Sequence, residues 1–186
     1  MDLHIKNMVS NRCKMIVRSE LEKLGLHFST LNFGEVKITE ELSEEKKNHL
    51  DTNLKKSGLA IIEDGKDILI ENIKIIVIEL VHYSESQLKI NLSDYLGQKL
   101  NYDYTYLANL FSKHQGITIE HFYLNHKIER VKELLIYDEL NITEIADRMH
   151  YSSVAHLSNQ FKKMTGLTPS HYKHLKVKKR KPLEKV

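Results

Sequence analysis

The second half of this 186-residue chain contains one sequence twice, fifty residues apart. Residues 107–122 read LANLFSKHQGITIEHF and residues 157–172 read LSNQFKKMTGLTPSHY. Seven of the 16 aligned positions are identical: Leu107/Leu157, Asn109/Asn159, Phe111/Phe161, Lys113/Lys163, Gly116/Gly166, Thr118/Thr168 and His121/His171. Two copies do not make a stacked solenoid, so one small unit used twice is the economical reading. In each copy Leu107, Leu110 and Phe111, or Leu157 and Phe161, share one face of a helix. Gly116 and Gly166 follow a lysine-bearing last turn and stop it. Thr168-Pro169 then opens a further helix, with proline at its first position.

A second, shorter helix precedes each copy. The first spans 92–100, with Ser93 as N-cap. The second spans 142–149, with Thr143 ahead of Glu144. Gly97 and Ala146 fall at equivalent places, small enough for a close helix crossing. Short polar turns, 101–103 and 150–152, separate the paired helices. Short helix, turn and longer helix make a helix-turn-helix; the plain alternative is a helical hairpin packed for structure alone. Residues 122–137 read as one amphipathic linker helix of about 16 residues, roughly 24 Å long. Leu124, Ile128, Val131, Leu134 and Leu135 form its apolar stripe. Two reading helices on successive major grooves need about 34–36 Å between centres, which such a linker allows without dimerisation.

Charge separates the halves. Residues 1–85 carry 12 Lys+Arg against 15 Asp+Glu, a net −3; residues 86–186 carry 16 against 10, a net +6. A basic half on a mildly acidic one points to polyanion binding by the C-terminal part. Seven of its lysines and arginines lie in the last 14 residues, so part of the asymmetry belongs to a basic tail at 175–186.

These residues resemble the AraC-type (AraC/XylS) family of bacterial transcription regulators, over about residues 88–174. The strongest segment is ITEIADRMHYSSVAHLSNQFKKMTGLTPSHY, residues 142–172, with Ile145, Ala146, Phe161, Lys162, Gly166, Thr168, Pro169 and Tyr172 on the family pattern. KIERVKELL in the linker also fits, through Ile128, Arg130, Lys132 and Leu135. The resemblance implies two helix-turn-helix units joined by a long helix, and sequence-specific binding of double-stranded DNA. The chain departs from the pattern in three ways. Asn109 and Asn159 stand where many members carry Arg, His150 where many carry Gly, and His156 where an aromatic is usual.

Exposed positions near the start of each longer helix are the expected base readers. They are Tyr104, Thr105, Ala108 and Asn109 in the first unit, and Ser153, Val154, Ala155, Ser158 and Asn159 in the second. Asn pairs with adenine N6/N7, and Ala or Val touches a thymine methyl, so the expected site leans to A·T. The alternative for the two asparagines is capping or phosphate contact. Lys113, Lys127, Arg130, Lys162 and Lys163 are the expected phosphate partners, which position the protein without carrying sequence information.

Residues 1–66 have a different rhythm. A strand at 3–8, a helix at 11–24, strands at 26–33 and 35–38, a helix at 43–56 and a strand at 58–63 give the order βαββαβ. That order predicts a ferredoxin-like sandwich. The fold class expected for the whole chain is therefore α+β: this sandwich, then an all-α double helix-turn-helix. Met8-Val9-Ser10-Asn11-Arg12-Cys13 resembles the loop of heavy-metal-associated domains, Met-x-Cys-x-x-Cys, with Ser10 at the first cysteine position. One thiolate, Cys13, with a hydroxyl beside it, is a poor soft-metal site. No metal and no cofactor are expected. Soft-metal sensing or carriage, through Cys13 as half of an intermolecular site or with His4, is the alternative function. The module otherwise reads as a regulatory or dimerisation part. Residues 67–87 read as an inter-domain helix. Leu69, Ile73, Ile76, Val77 and Leu80 share a face, while Ile70, Ile75 and Ile78 lie elsewhere, which suits cover from both domains or from a second copy in a homodimer.

Nothing reads as an enzyme: there is no phosphate-cradling glycine loop and no nucleophile elbow. A single Cys among 186 residues excludes an internal disulfide. No export signal or membrane span is legible, so a cytoplasmic regulator is expected, with an effector of unknown identity as a further partner.

Overall fold

The computed structural model describes all residues except 85–87 and 176–179. The end of the segment expected at 67–87, and Lys176, Lys178 and Lys179 of the basic tail, lie outside the described residues. The chain divides into two compact units, residues 1–76 and 77–186.

The first unit is a four-stranded antiparallel sheet with two helices. Strand β1 (Asp2–Lys6) lies between β3 (Glu35–Ile38) and β4 (Ala60–Ile62), and β2 (Phe28–Asn32) pairs with the far edge of β3. Alternation in β1 buries Leu3 and Ile5 and leaves Asp2 and Lys6 outside, as a half-buried strand requires. Helix α1 (Asn11–Lys23) is capped by Ser10, whose Oγ accepts the Cys13 N–H at 3.3 Å. Helix α2 (Glu44–Lys55) is capped by Ser43 and starts with two glutamates, which suit the positive helix end. Val17 and Leu21 of α1, and Leu50 and Leu54 of α2, are spaced i, i+4 and close one core with Leu3, Ile5 and Val36.

Helix α3 (Gly65–Ile78) begins in the first unit and ends in the second. Its buried Glu71 accepts the Asn7 N–H at 2.6 Å, and Lys74 stands 3.5 Å from the same carboxylate. A π-helical turn, Glu79–Tyr83, continues it.

The second unit holds α4 (Leu92–Leu100), α5 (Tyr104–Gln115), α6 (Ile119–Tyr137), α7 (Ile142–Arg148), α8 (Val154–Thr165) and the single-turn α9 (Pro169–Lys173). The fifty-residue repeat recurs in the caps. Asp103 and Ser153 cap α5 and α8, Thr118 and Thr168 cap α6 and α9, and Asn91 and Asn141 precede α4 and α7. Gly116 (φ 72°) and Gly166 (φ 78°) end α5 and α8 in the left-handed region, where a Cβ is disfavoured. The core repeats too: Phe111 meets Phe122 edge to face at 5.4 Å, and Phe161 meets Tyr172 likewise at 5.5 Å.

Three boundaries differ from the sequence reading. The N-cap of α4 is Asn91, with Ser93 inside the helix. The α7 cap is Asn141, which forms a capping box with Glu144. The linker helix starts at Ile119, because Thr118 accepts the His121 N–H and launches it as Thr168 launches α9. Its 19 residues span about 28 Å.

Candidate DNA-binding surface

Each longer helix of the repeat presents one buried and one exposed face. In α5, Leu107, Leu110 and Phe111 are buried while Thr105, Asn109 and Lys113 are exposed. In α8, Leu157 and Phe161 are buried while Ala155, Asn159, Lys162 and Lys163 are exposed. Ser153 is exposed as the α8 cap, its Oγ accepting the His156 N–H at 3.0 Å. Ala108, Val154 and Ser158 are half-buried at the edges of these faces. Tyr104 is also half-buried, and its hydroxyl donates to Glu120, so this side chain already has a partner within the unit. Burial, then the Glu120 carboxylate, hold its phenol protonated well above the usual range.

The cations expected to meet phosphate fall into two groups. Lys113, Lys162 and Lys163 are exposed on the same faces as the asparagines. Lys127 and Arg130, by contrast, are engaged inside the unit. Lys127 Nζ sits 4.0 Å from the centre of the Tyr151 ring. Arg130 binds Glu133 at 2.7 Å, and Arg180 approaches the same carboxylate to 3.3 Å. The described end of the basic tail is likewise docked, with the Lys181 N–H donating to buried Glu129 at 3.1 Å.

The turns differ between the copies by a compensating slip of one residue. The Tyr102 N–H donates to Gly97 O at 3.2 Å, and the Tyr151 N–H to Ala146 O at 2.8 Å. These are equivalent bonds, forty-nine residues apart instead of fifty. Asn101 (φ 57°) and His150 (φ 54°) occupy the equivalent left-handed position. The reading expected from sequence overlooked an aromatic pair beside α5. Tyr102 and Tyr106 stack at 5.6 Å with half-exposed rings, and Tyr151 and His156 form the matching edge-on pair at 5.3 Å. The i, i+4 spacing of Tyr102 and Tyr106 was the available signal.

Cys13 is half-buried at the start of α1, and its sulfur accepts the Ser10 hydroxyl at 3.1 Å. His4 lies on β1. Among the described residues no group of three or more His, Cys, Asp or Glu is arranged to hold a metal, and no helix is long and apolar enough to cross a membrane.

Residues 96–174 match the family model of the helix-turn-helix domain. The uncharacterized HTH-type transcriptional regulator YtdP of Bacillus subtilis is 27% identical over 111 residues, 59% of this chain and 14% of that protein. The uncharacterized HTH-type transcriptional regulator SAS0078 of Staphylococcus aureus is 33% identical over 93 residues, 50% of this chain and 12% of that protein. This chain thus spans about an eighth of the length of these curated relatives. Among solved structures, the C-terminal domain of the two-component response regulator yesN from Fusobacterium nucleatum is similar, with 30% identity and a TM-score of 0.48. That match covers 55% of this chain and 99% of the domain. The second unit therefore carries a helix-turn-helix domain.

Proposed function

We propose that this chain is a sequence-specific transcription regulator whose α5 and α8 enter adjacent major grooves of one DNA duplex. One observation carries the reading. Two helices with matching caps each bury a Leu/Phe face and expose an Asn/Lys face, within a matched helix-turn-helix domain. Thr105, Asn109, Ala155 and Asn159 read bases, with Ala108, Ser153, Val154 and Ser158 at the margins. Lys113, Lys162 and Lys163 neutralise phosphates. Tyr104, Lys127 and Arg130, engaged within the unit, act by holding the helices in place. With no arginine among the readers, adenine and thymine contacts dominate.

The division of labour follows the sequence reading: 1–66 a module, 67–87 a connector, 88–174 the reader and 175–186 a tail. The sheet order β2-β3-β1-β4 and its antiparallel pairing support a ferredoxin-like first module. That module serves regulation or dimerisation, in a cytoplasmic protein that catalyses nothing. Selection on a randomised DNA pool near physiological salt tests the reading. Two A·T-leaning half-sites about 10 base pairs apart are expected. Enrichment of one half-site alone would remove the second reading head, and no enrichment would overturn the proposal for the chain acting by itself.

A further inference from the structure

The linker helix carries three consecutive cations of the second unit with unequal company. Arg130 has Glu133 at 2.7 Å and Lys132 has Glu129 at 2.6 Å. Lys127 has no carboxylate at ion-pair distance among the described residues. Its neighbours are aromatic rings, Tyr151 at 4.0 Å and Tyr123 at 5.8 Å from the ammonium. Ring faces attract a cation but do not neutralise it. Beside the ammonium lies a cavity of about 210 Å³, lined by four aliphatic side chains, among them Leu80 and Ile90, and by Tyr123, Lys127 and His150. Among the described residues no acidic side chain lines it. The hydroxyl of Tyr151 is buried and also lacks a hydrogen-bond partner among the described residues.

We propose that this cavity binds a short-chain aliphatic carboxylate, with its carboxylate on Lys127 and its chain against the aliphatic wall. The wall disfavours a fully polar ligand, and the unpaired ammonium calls for an anion. A phosphate dianion would be costlier to desolvate there than a carboxylate. The volume is below the roughly 300–1,000 Å³ of drug-sized pockets, which limits the chain to a few carbons. The same deficit shows in the lysine's acidity: burial lowers its ammonium to about 8. A bound carboxylate reverses that shift, so binding near pH 8 takes up a proton. The occupant would press on His150 and on the Lys127–Tyr151 contact, which lie immediately before the α8 cap. The site is independent of the DNA reading, and its test uses no DNA.

The experiment is isothermal titration of the full chain with hexanoate at pH 8, in two buffers of different ionisation enthalpy, with hexanol as the neutral control. Saturable hexanoate binding is expected, at least tenfold tighter than hexanol, with uptake of up to about half a proton per site. Lys127→Met is expected to abolish both the preference and the uptake. Equal binding of the two ligands, hexanoate binding without proton uptake, or no binding would each overturn the proposal. The comparison on the unsubstituted protein decides the matter even where the variant fails to fold.

Discussion

Nε2 of His82 lies 3.3 Å from Nδ1 of His126, joining the π-helical turn to the linker helix across 44 residues of sequence. His126 is fully buried, and its Nε2 has no hydrogen-bond partner among the described residues. Desolvation lowers His82 to about 4, with Arg130 and Arg180 adding to the shift and Glu133 opposing it. Desolvation, then the neighbouring His82, lower His126 to about 3. Both rings are therefore neutral in the folded unit at pH 7.

The unfolded chain protonates these histidines near pH 6.5, while the folded unit does not until about pH 4 and about 3. The unfolded state thus binds more protons in that window, and stability falls as pH drops below 6.5. At pH 4.5 each histidine should cost the fold roughly 2–3 kcal/mol relative to pH 7.5. Urea unfolding of native protein and His126→Leu at both pH values checks this. The variant should lose about half of the excess acid sensitivity; identical pH slopes would show that the pair does not drive it.

His150 holds a left-handed backbone, φ 54°, in the turn between α7 and α8. A side chain there costs roughly 1–2 kcal/mol, partly offset by the extra chain entropy glycine brings to the unfolded state. His150→Gly should leave stability unchanged or raise it by up to about 1 kcal/mol, read from the urea midpoint. A loss beyond about 1 kcal/mol would mean that the imidazole contributes contacts outweighing the strain.

Asn91 and Asn141 occupy equivalent caps with different bonding. Asn141 Oδ1 accepts from the Thr143 and Glu144 N–H groups, and Glu144 returns a bond to the Asn141 N–H at 2.7 Å. The Asn91 side chain makes no capping bond. Asn141→Ala should cost about 1 kcal/mol and Asn91→Ala only a few tenths. Equal losses in thermal unfolding would erase the distinction.

Salt dependence separates the two groups of cations. Each phosphate contact contributes about 0.9 to the slope of log affinity against log salt. Replacing Lys113, Lys162 and Lys163 with Gln should reduce that slope by up to roughly 2.7, while Arg130→Gln should leave it nearly unchanged and lower stability instead. Fluorescence anisotropy on a selected site, from about 50 to 200 mM salt, measures both. At that site Asn159→Ala should cost roughly 1–3 kcal/mol at one base position; a uniform loss across sequences would reassign Asn159 to the phosphates.

What could be read before the structure was largely what is encoded locally. The 103–122 and 153–172 segments carry their own caps, stops and apolar spacing, so α5, α8 and α9 followed from local sequence. The order of strands and helices in residues 1–66 was legible for the same reason. Ser93 misled because a serine at the second position of a helix looks like a cap, while Asn91 caps without a side-chain bond. Lys127 and Arg130 read as solvent-facing because periodicity assigns a face but not a neighbour. Their partners, Tyr151 and Glu133, are fixed by tertiary packing in one case and by a local ion pair in the other. The histidine pair and the lone ammonium beside its cavity depend on contacts across tens of residues, where sequence spacing carries no signal.

The one-residue slip means that the second copy of the repeat is not a translated image of the first. Gly97 lies six residues after the Asn91 cap and Ala146 five after the Asn141 cap, and the turn after His150 makes up the difference before Ser153; one residue of helix is about 100° of rotation. Two unlike helical copies in tandem, joined by α6, leave this unit without an internal twofold axis. Laid on a duplex, such a chain would have a front and a back, and reversing its site would turn the rest of the protein to face the opposite way along the DNA.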